Sequence, residues 1–172
     1  MLEIPAGDLH YAISLEEVGW GLLLIAITMT LHGLGMLLAT QAGGGVSRRL
    51  QRYESYFVGV FPIVVASWII VIVHLMEAIV WAGFFLWKGA MPSSSVAYYF
   101  TVMEYTTVGS QYNLPLRWRL LEGMVAMAGL LCFAWSTGVL FTLAQEFQQK
   151  QIAGRLRRAR RGNSGSGQTR PS

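Results

Sequence analysis

Three long apolar stretches decide what this chain can fold into. Val18 to Gln41 carries no formal charge, Tyr56 to Trp87 carries only Glu77, and Leu120 to Phe147 carries only Glu122 and Glu146. A helix needs about 20 apolar residues to cross the hydrocarbon core of a bilayer. Each stretch meets that length, and the second exceeds it enough to imply tilt or projection beyond the core. The composition excludes an ordinary soluble domain, since 53% of the 172 residues are hydrophobic and only 13% are charged. Cys132 is the sole cysteine, so neither a disulfide framework nor a thiolate cluster can form within one chain.

Orientation follows from the positions of Lys and Arg. Arg48, Arg49 and Arg52 lie between the first two stretches, and Lys150, Arg155, Arg157, Arg158, Arg160, Arg161 and Arg170 follow the third. Both segments are expected on the cytoplasmic side. The N-terminal residues 1–17, with Glu3, Asp8, Glu16 and Glu17, and the segment 89–119 are then expected outside. An odd number of crossings satisfies this pattern. Residues 1–17 lack a basic n-region and do not read as a cleaved signal. The expected order is an extracytoplasmic N-terminus (1–17), a peripheral transmembrane helix (18–41), a cytoplasmic loop (42–55), a central unit (56–147) and a basic disordered cytoplasmic tail (148–172). The tail's arginines suit anionic lipid, at about 1 kcal/mol per basic residue near the surface, or serve only as a topology signal. No nucleic-acid partner is expected.

The segment 89–119 is too long for a hairpin and too aromatic for a solvated loop. "VAYYFTVMEYT" supplies about three helical turns, with Ser94 or Ser95 as N-cap after Pro92. Such a helix cannot cross a bilayer. A half-inserted helix followed by extended chain buries its aromatics, provided the bare backbone faces protein or water. Thr106-Thr107-Val108-Gly109 follows directly. The order of apolar span, short helix, T-T-V-G and apolar span resembles the pore module of the two-transmembrane potassium-channel superfamily, over roughly Tyr56 to Phe147. The resemblance implies an all-α integral membrane fold, with three transmembrane helices and a re-entrant pore helix and filter loop between the second and third. It also implies a homotetramer around a central cation pathway in a bacterial inner or plasma membrane. The outer helix would span 56–88, the pore helix and filter 94–113, and the inner helix 119–147. Backbone carbonyls of Thr106, Thr107, Val108 and Gly109, with the Thr107 hydroxyl, would take the place of water around K+ or Na+. No cofactor beyond the permeant monovalent cation is implied.

The match stops at Gly109. Where the family continues Tyr-Gly, this chain has Ser110 and Gln111. A non-glycine residue at positive φ costs roughly 1–2 kcal/mol, so the outer half of the filter is expected to take another shape, with Ser110 and Gln111 lining a wider mouth and potassium selectivity reduced. Gly129 and Gly138 in the third span are candidate hinges, or each simply permits close helix contact. His74 and Glu77 share a helical face, which suits a polar tie to the pore helix or pH sensing. Glu104 ends the short helix, where it is protonated or bonded behind the filter. Glu122 follows Arg117 and Arg119, which suggests an interfacial ion pair. Two readings compete with the channel: a non-conducting scaffold that keeps the pore architecture, and an electron carrier holding haem b between His32 and His74. No spacing of Ser, His and acidic residues supports an enzyme.

Overall fold

The architecture is that of a computed structural model, which describes residues 11–50 and 56–166. Four α-helices follow in order: α1 (Leu15–Leu50), α2 (Tyr56–Trp87), the short α3 (Ser94–Tyr105) and α4 (Leu120–Ser166). A 3-10 turn, Leu116–Trp118, precedes α4. No strand occurs among the described residues. Three segments are long and apolar enough to cross a membrane: Leu15–Val46, Val60–Trp87 and Leu116–Gly154. The chain is thus an all-helical protein with three candidate spans, consistent with an integral membrane protein.

Helices α1 and α2 lie antiparallel in one continuous register. Thr28 meets Trp81, His32 meets Glu77, Gly35 meets Val73 and Gly43 meets Pro62 and Ala66. Small residues make the pairing tight: a Cβ on Gly35 would run into the Val73 side chain, and Ala39 and Ala66 are fully buried. Gly35 thus serves the contact with α2, and the first helix also packs on α4. Gly21 accommodates Met124, and Gly33 abuts the Trp135 ring.

Polar contacts lock the end where α1 begins, α2 ends and α4 begins. The buried Glu17 carboxylate accepts the Leu120 N–H at 2.6 Å and the Tyr11 hydroxyl at 3.1 Å, which places negative charge at the positive end of the α4 dipole. Arg117 pairs with Glu16 at 2.7 Å, while Glu122 accepts the Leu114 N–H. Arg117 thus ties the start of α4 to α1, and Glu122 holds the chain that leads into it. Lys88 sits over the Trp20 and Trp87 rings, 4.5 and 4.2 Å from their centroids.

Helix α3 starts at this end and runs back along α2. Ser93 is its N-cap, one residue before the positions expected, and its hydroxyl accepts the Val96 N–H. Fully buried Phe100 packs edge-on against Phe85, and Tyr105 reaches Glu77. Glu77 lies ten residues before the end of α2 at Trp87, or about 15 Å along the axis at 1.5 Å per residue. Residues 110–119 return to the starting end, where Trp118 meets Phe84 and Arg117 meets Glu16.

Two boundaries differ from expectation. Helix α1 continues through Gly43-Gly44-Gly45 to Leu50, shortening the loop expected at 42–55, because Gly43 packs onto α2. Helix α4 runs on to Ser166, where a disordered tail was expected from 148. Gln, Leu, Ala and Arg favour helix without needing a core to bury. Residues 1–10, 51–55 and 167–172 lie outside the described ones, Arg52 and Arg170 among them.

The glycines of α4 separate cleanly. A Cβ on Gly129 would collide with the carbonyl oxygen of Tyr105, whereas one on Gly138 meets nothing within 4 Å. Gly129 is thus a close-packing site between α3 and α4. Gly129→Ala should lower stability by about 1–3 kcal/mol, as overpacking does, and Gly138→Ala should change it little. Thermal unfolding in detergent measures both; equal melting temperatures would contradict this packing.

Candidate functional site

Among the polar residues near the midpoints of the spans are His32 in Leu15–Val46, His74 in Val60–Trp87 and Ser136 in Leu116–Gly154. The fold brings these three together with Glu77 and Tyr105. Helical spacing explains the local order, since His74 and Glu77 stand at i,i+3 and share a face. Antiparallel register then sets His32 against Glu77, just as it sets Thr28 to accept the Trp81 indole N–H at 2.9 Å.

The five side chains close a ring. The Glu77 carboxylate lies 2.9 Å from His32 Nδ1 and accepts the Tyr105 hydroxyl at 2.5 Å. His74 Nδ1 lies 3.1 Å from that hydroxyl and 3.3 Å from Glu77 Oε2. The Ser136 hydroxyl completes the circuit, 3.1 Å from His74 Nε2 and 3.2 Å from His32 Nε2. His32 and Glu77 are 0% exposed. The Phe133 ring lies tilted against His74 and the Trp135 ring against His32. One turn before Ser136, the Cys132 thiol faces the Met29 sulfur at 3.7 Å. His32, His74 and Glu77 together offer three metal-competent donor atoms within 4.8 Å of one another.

His32 and His74 do face each other, with ring centroids 5.2 Å apart. An iron held by both Nε2 atoms would sit between them. The Ser136 hydroxyl occupies that point, within hydrogen-bonding distance of both nitrogens.

The second group of candidate residues follows directly from Tyr105. Thr106 caps α3, and Thr107 stands at φ +62, the left-handed region. The Thr107 N–H donates to the Glu104 carbonyl and the Val108 N–H to the Met103 carbonyl. This is the Schellman pattern, in which glycine usually holds the position that Thr107 takes. The Gly109 N–H also returns to the Met103 carbonyl, and Gly109 has φ +82. In a trans peptide the N–H and C=O point in opposite directions. The carbonyls of Thr106, Thr107 and Val108 therefore point away from the end of α3. Thr106 through Gly109 are exposed, Val108 at 69%.

Beyond Gly109 the backbone leaves the left-handed region, so neither Ser110 nor Gln111 carries positive φ. Glu104 fastens this part, its carboxylate accepting the Ser110 N–H at 2.9 Å. Burial pushes the Glu104 carboxyl above its ordinary range, partly offset by that Ser110 hydrogen bond. Tyr112 packs edge-on against Tyr99 of α3.

Among the ring members, sequence reasoning singled out His74 and Glu77 as a pair and named His32 only as a haem ligand. It gave Ser136 and Tyr105 no role. Ser136 and Thr137 are neighbouring polar residues at the centre of an apolar span, and the sequence does not tell which of them faces the other helices. Nothing in the sequence distinguishes Tyr105 from the other tyrosines of its helix. No protein-family model, curated protein or solved structure matches the chain.

Removing one member of a buried, paired set strands the others. Glu77→Ala should cost about 3–5 kcal/mol, and Tyr105→Phe about 1–3 kcal/mol, by thermal unfolding in detergent. A Glu77→Ala protein as stable as wild type would show that the ring carries no stability. Glu104 makes a prediction with a definite sign. Its folded carboxyl binds a proton more readily than the unfolded one, so its stability contribution is greatest in acid and declines as pH rises through the raised value. Glu104→Gln should flatten that part of the pH–stability profile.

Proposed function

We propose that the chain is one subunit of a homotetrameric cation channel of potassium-channel type, with Thr106 to Gly109 lining its narrowest passage. The observation that carries this reading is the exposed run of three carbonyls, Thr106, Thr107 and Val108, pointing away from α3 about halfway along the spans. Lipid cannot hydrogen-bond bare carbonyls, so at that depth they require protein, water or an ion. Around a fourfold axis they supply rings of oxygen ligands for a dehydrated K+ or Na+. The C-terminal end of α3 adds a partial negative charge beside them.

Helix α3 and its loop then form a re-entrant segment, entering and leaving the bilayer on one face. The bilayer is a bacterial inner or plasma membrane, with the N-terminus outside. Lys150 and the arginines that follow it face the cytoplasm and anionic lipid.

Selectivity is lower than in a complete T-V-G-Y-G filter. The left-handed turns end at Gly109, so the carbonyl column is short and Ser110 and Gln111 form a wider mouth. Tyr112 braces this mouth against Tyr99, from a position further along the chain than the family's tyrosine. Glu104 supports the loop from behind through the Ser110 N–H.

Flux into vesicles under opposed K+ and Na+ gradients tests the proposal. The wild type should pass both ions with modest K+ preference, and Ser110→Tyr with Gln111→Gly should sharpen that preference. Absence of flux from well-folded wild-type protein would assign the chain to the non-conducting scaffold class.

A further inference from the structure

The ring at the centre of the spans has a property that hydrogen bonding alone leaves open. When Glu77 is ionised and both Nδ1 atoms donate to it, both Nε2 lone pairs converge on Ser136, whose hydroxyl has one hydrogen to give. One nitrogen is then left facing an oxygen lone pair. A buried carboxylate at this depth also needs one compensating positive charge. A third proton shared among the imidazoles and Glu77 meets both demands, and so does a metal cation at the Glu77 side of the rings, where the two Nδ1 atoms become ligands and both Nε2–H groups donate to the two lone pairs of Ser136.

We propose that His32 Nδ1, His74 Nδ1, the Glu77 carboxylate and the Tyr105 phenolate form a binding site for one divalent transition-metal ion of the zinc class. The spacing suits such an ion. Donors around a tetrahedral zinc at about 2.0–2.1 Å lie about 3.3 Å from one another. Here His32 Nδ1 is 2.9 Å from Glu77 Oε1, and His74 Nδ1 is 3.3 Å from Glu77 Oε2 and 3.1 Å from the Tyr105 oxygen, while Tyr105 and Glu77 Oε2, 2.5 Å apart across the phenol proton, must part as the ion replaces that proton. Two imidazoles and two oxygen donors suit a borderline ion better than Mg2+ or Ca2+. Ser136 provides the outer contact that fixes both imidazole tautomers, as metal-bound histidines require.

Charge and protons balance. Without metal, the uncharged ring holds five protons: one on Tyr105, one on Ser136 and three among the two imidazoles and the carboxyl. With metal, three remain: two on the Nε2 atoms and one on Ser136. The divalent ion enters as two protons leave, one of them from Tyr105, and the ring stays neutral, as a low-dielectric surrounding favours. His74, the only one of the two histidines and Glu77 with exposed surface, at 12%, marks the route of entry.

The test uses the full chain in detergent, stripped with chelator and reloaded with Zn2+ or Co2+, and does not depend on conduction. We expect about one tightly held ion per chain by elemental analysis, with about two protons released per ion in weak buffer. Co2+ should give the intense visible bands of a tetrahedral site. Tyr105→Phe keeps both imidazoles and the carboxylate, and should lower retention about 10- to 100-fold while cutting proton release to about one per ion. His32→Gln should abolish the Co2+ bands. The proposal is overturned if folded wild-type protein binds no ion, in which case the ring holds protons only. It is equally overturned if retention survives both substitutions, since the ion then sits elsewhere.

Discussion

One carboxylate governs this structure. Glu77 is fully buried near the midpoint of an apolar helix, where an unpaired charge is among the costliest groups a membrane span can carry. Its requirements can be met only by drawing donors from elsewhere, and they come from every direction: an imidazole from α1, another from its own helix and a phenol from α3. Ser136 of α4 closes the circuit behind the imidazoles. Each helix is therefore tied to a single point. Hydrophobic packing between helices is weak as an orienting force in lipid, where every surface is apolar; a polar ring of this kind fixes rotation and depth together.

The rest of the fold fits around that point. Setting His32 against Glu77 fixes the α1–α2 register, and small residues let the helices close along it, from Thr28–Trp81 at one end to Gly43–Pro62 at the other. Holding Tyr105 fixes how far α3 reaches. The chain must then turn back, and it does so through a left-handed threonine where glycine would cost less. Thr107 thus stores strain of about 1–2 kcal/mol, two residues after Tyr105, the best-anchored residue of the short helix. Glu104 holds the far side of the turn through Ser110. The loop is pinned at both ends and exposed between them.

Much of this was legible in the sequence, for reasons that differ by element. The spans follow from length and apolarity, and α3 from its aromatic run and the serines before it. The His74–Glu77 pair follows from helical spacing. The ring as a whole was not legible, because it depends on the α1–α2 register and on how far α3 runs back, neither of which periodicity encodes. His32 could be seen to be unusual but not to be a partner of Glu77. Gln148 to Ser166 was misjudged for a different reason: composition says that it cannot bury a core, which is true, but helix formation there needs none. Ser110 and Gln111 mark the end of the left-handed turns as their residue types suggest, whereas Thr107 enters the left-handed region against its type.

Gly129 gives these contacts a mechanical meaning. The Tyr105 carbonyl lodges in the notch left by its missing side chain, seven residues before Ser136 on the same helix. Two full turns of α4 thus grip Tyr105 directly at its backbone and, through the ring, at its phenol. Tyr105 and Thr106 share a peptide bond. Rotation of α4 about its axis cannot slip past α3; it must carry the tyrosine with it, and the first residue of the exposed turn as well. Helix and loop behave as a crank and its pin, so that a twist applied far along α4 is delivered to the turn as displacement rather than absorbed between them.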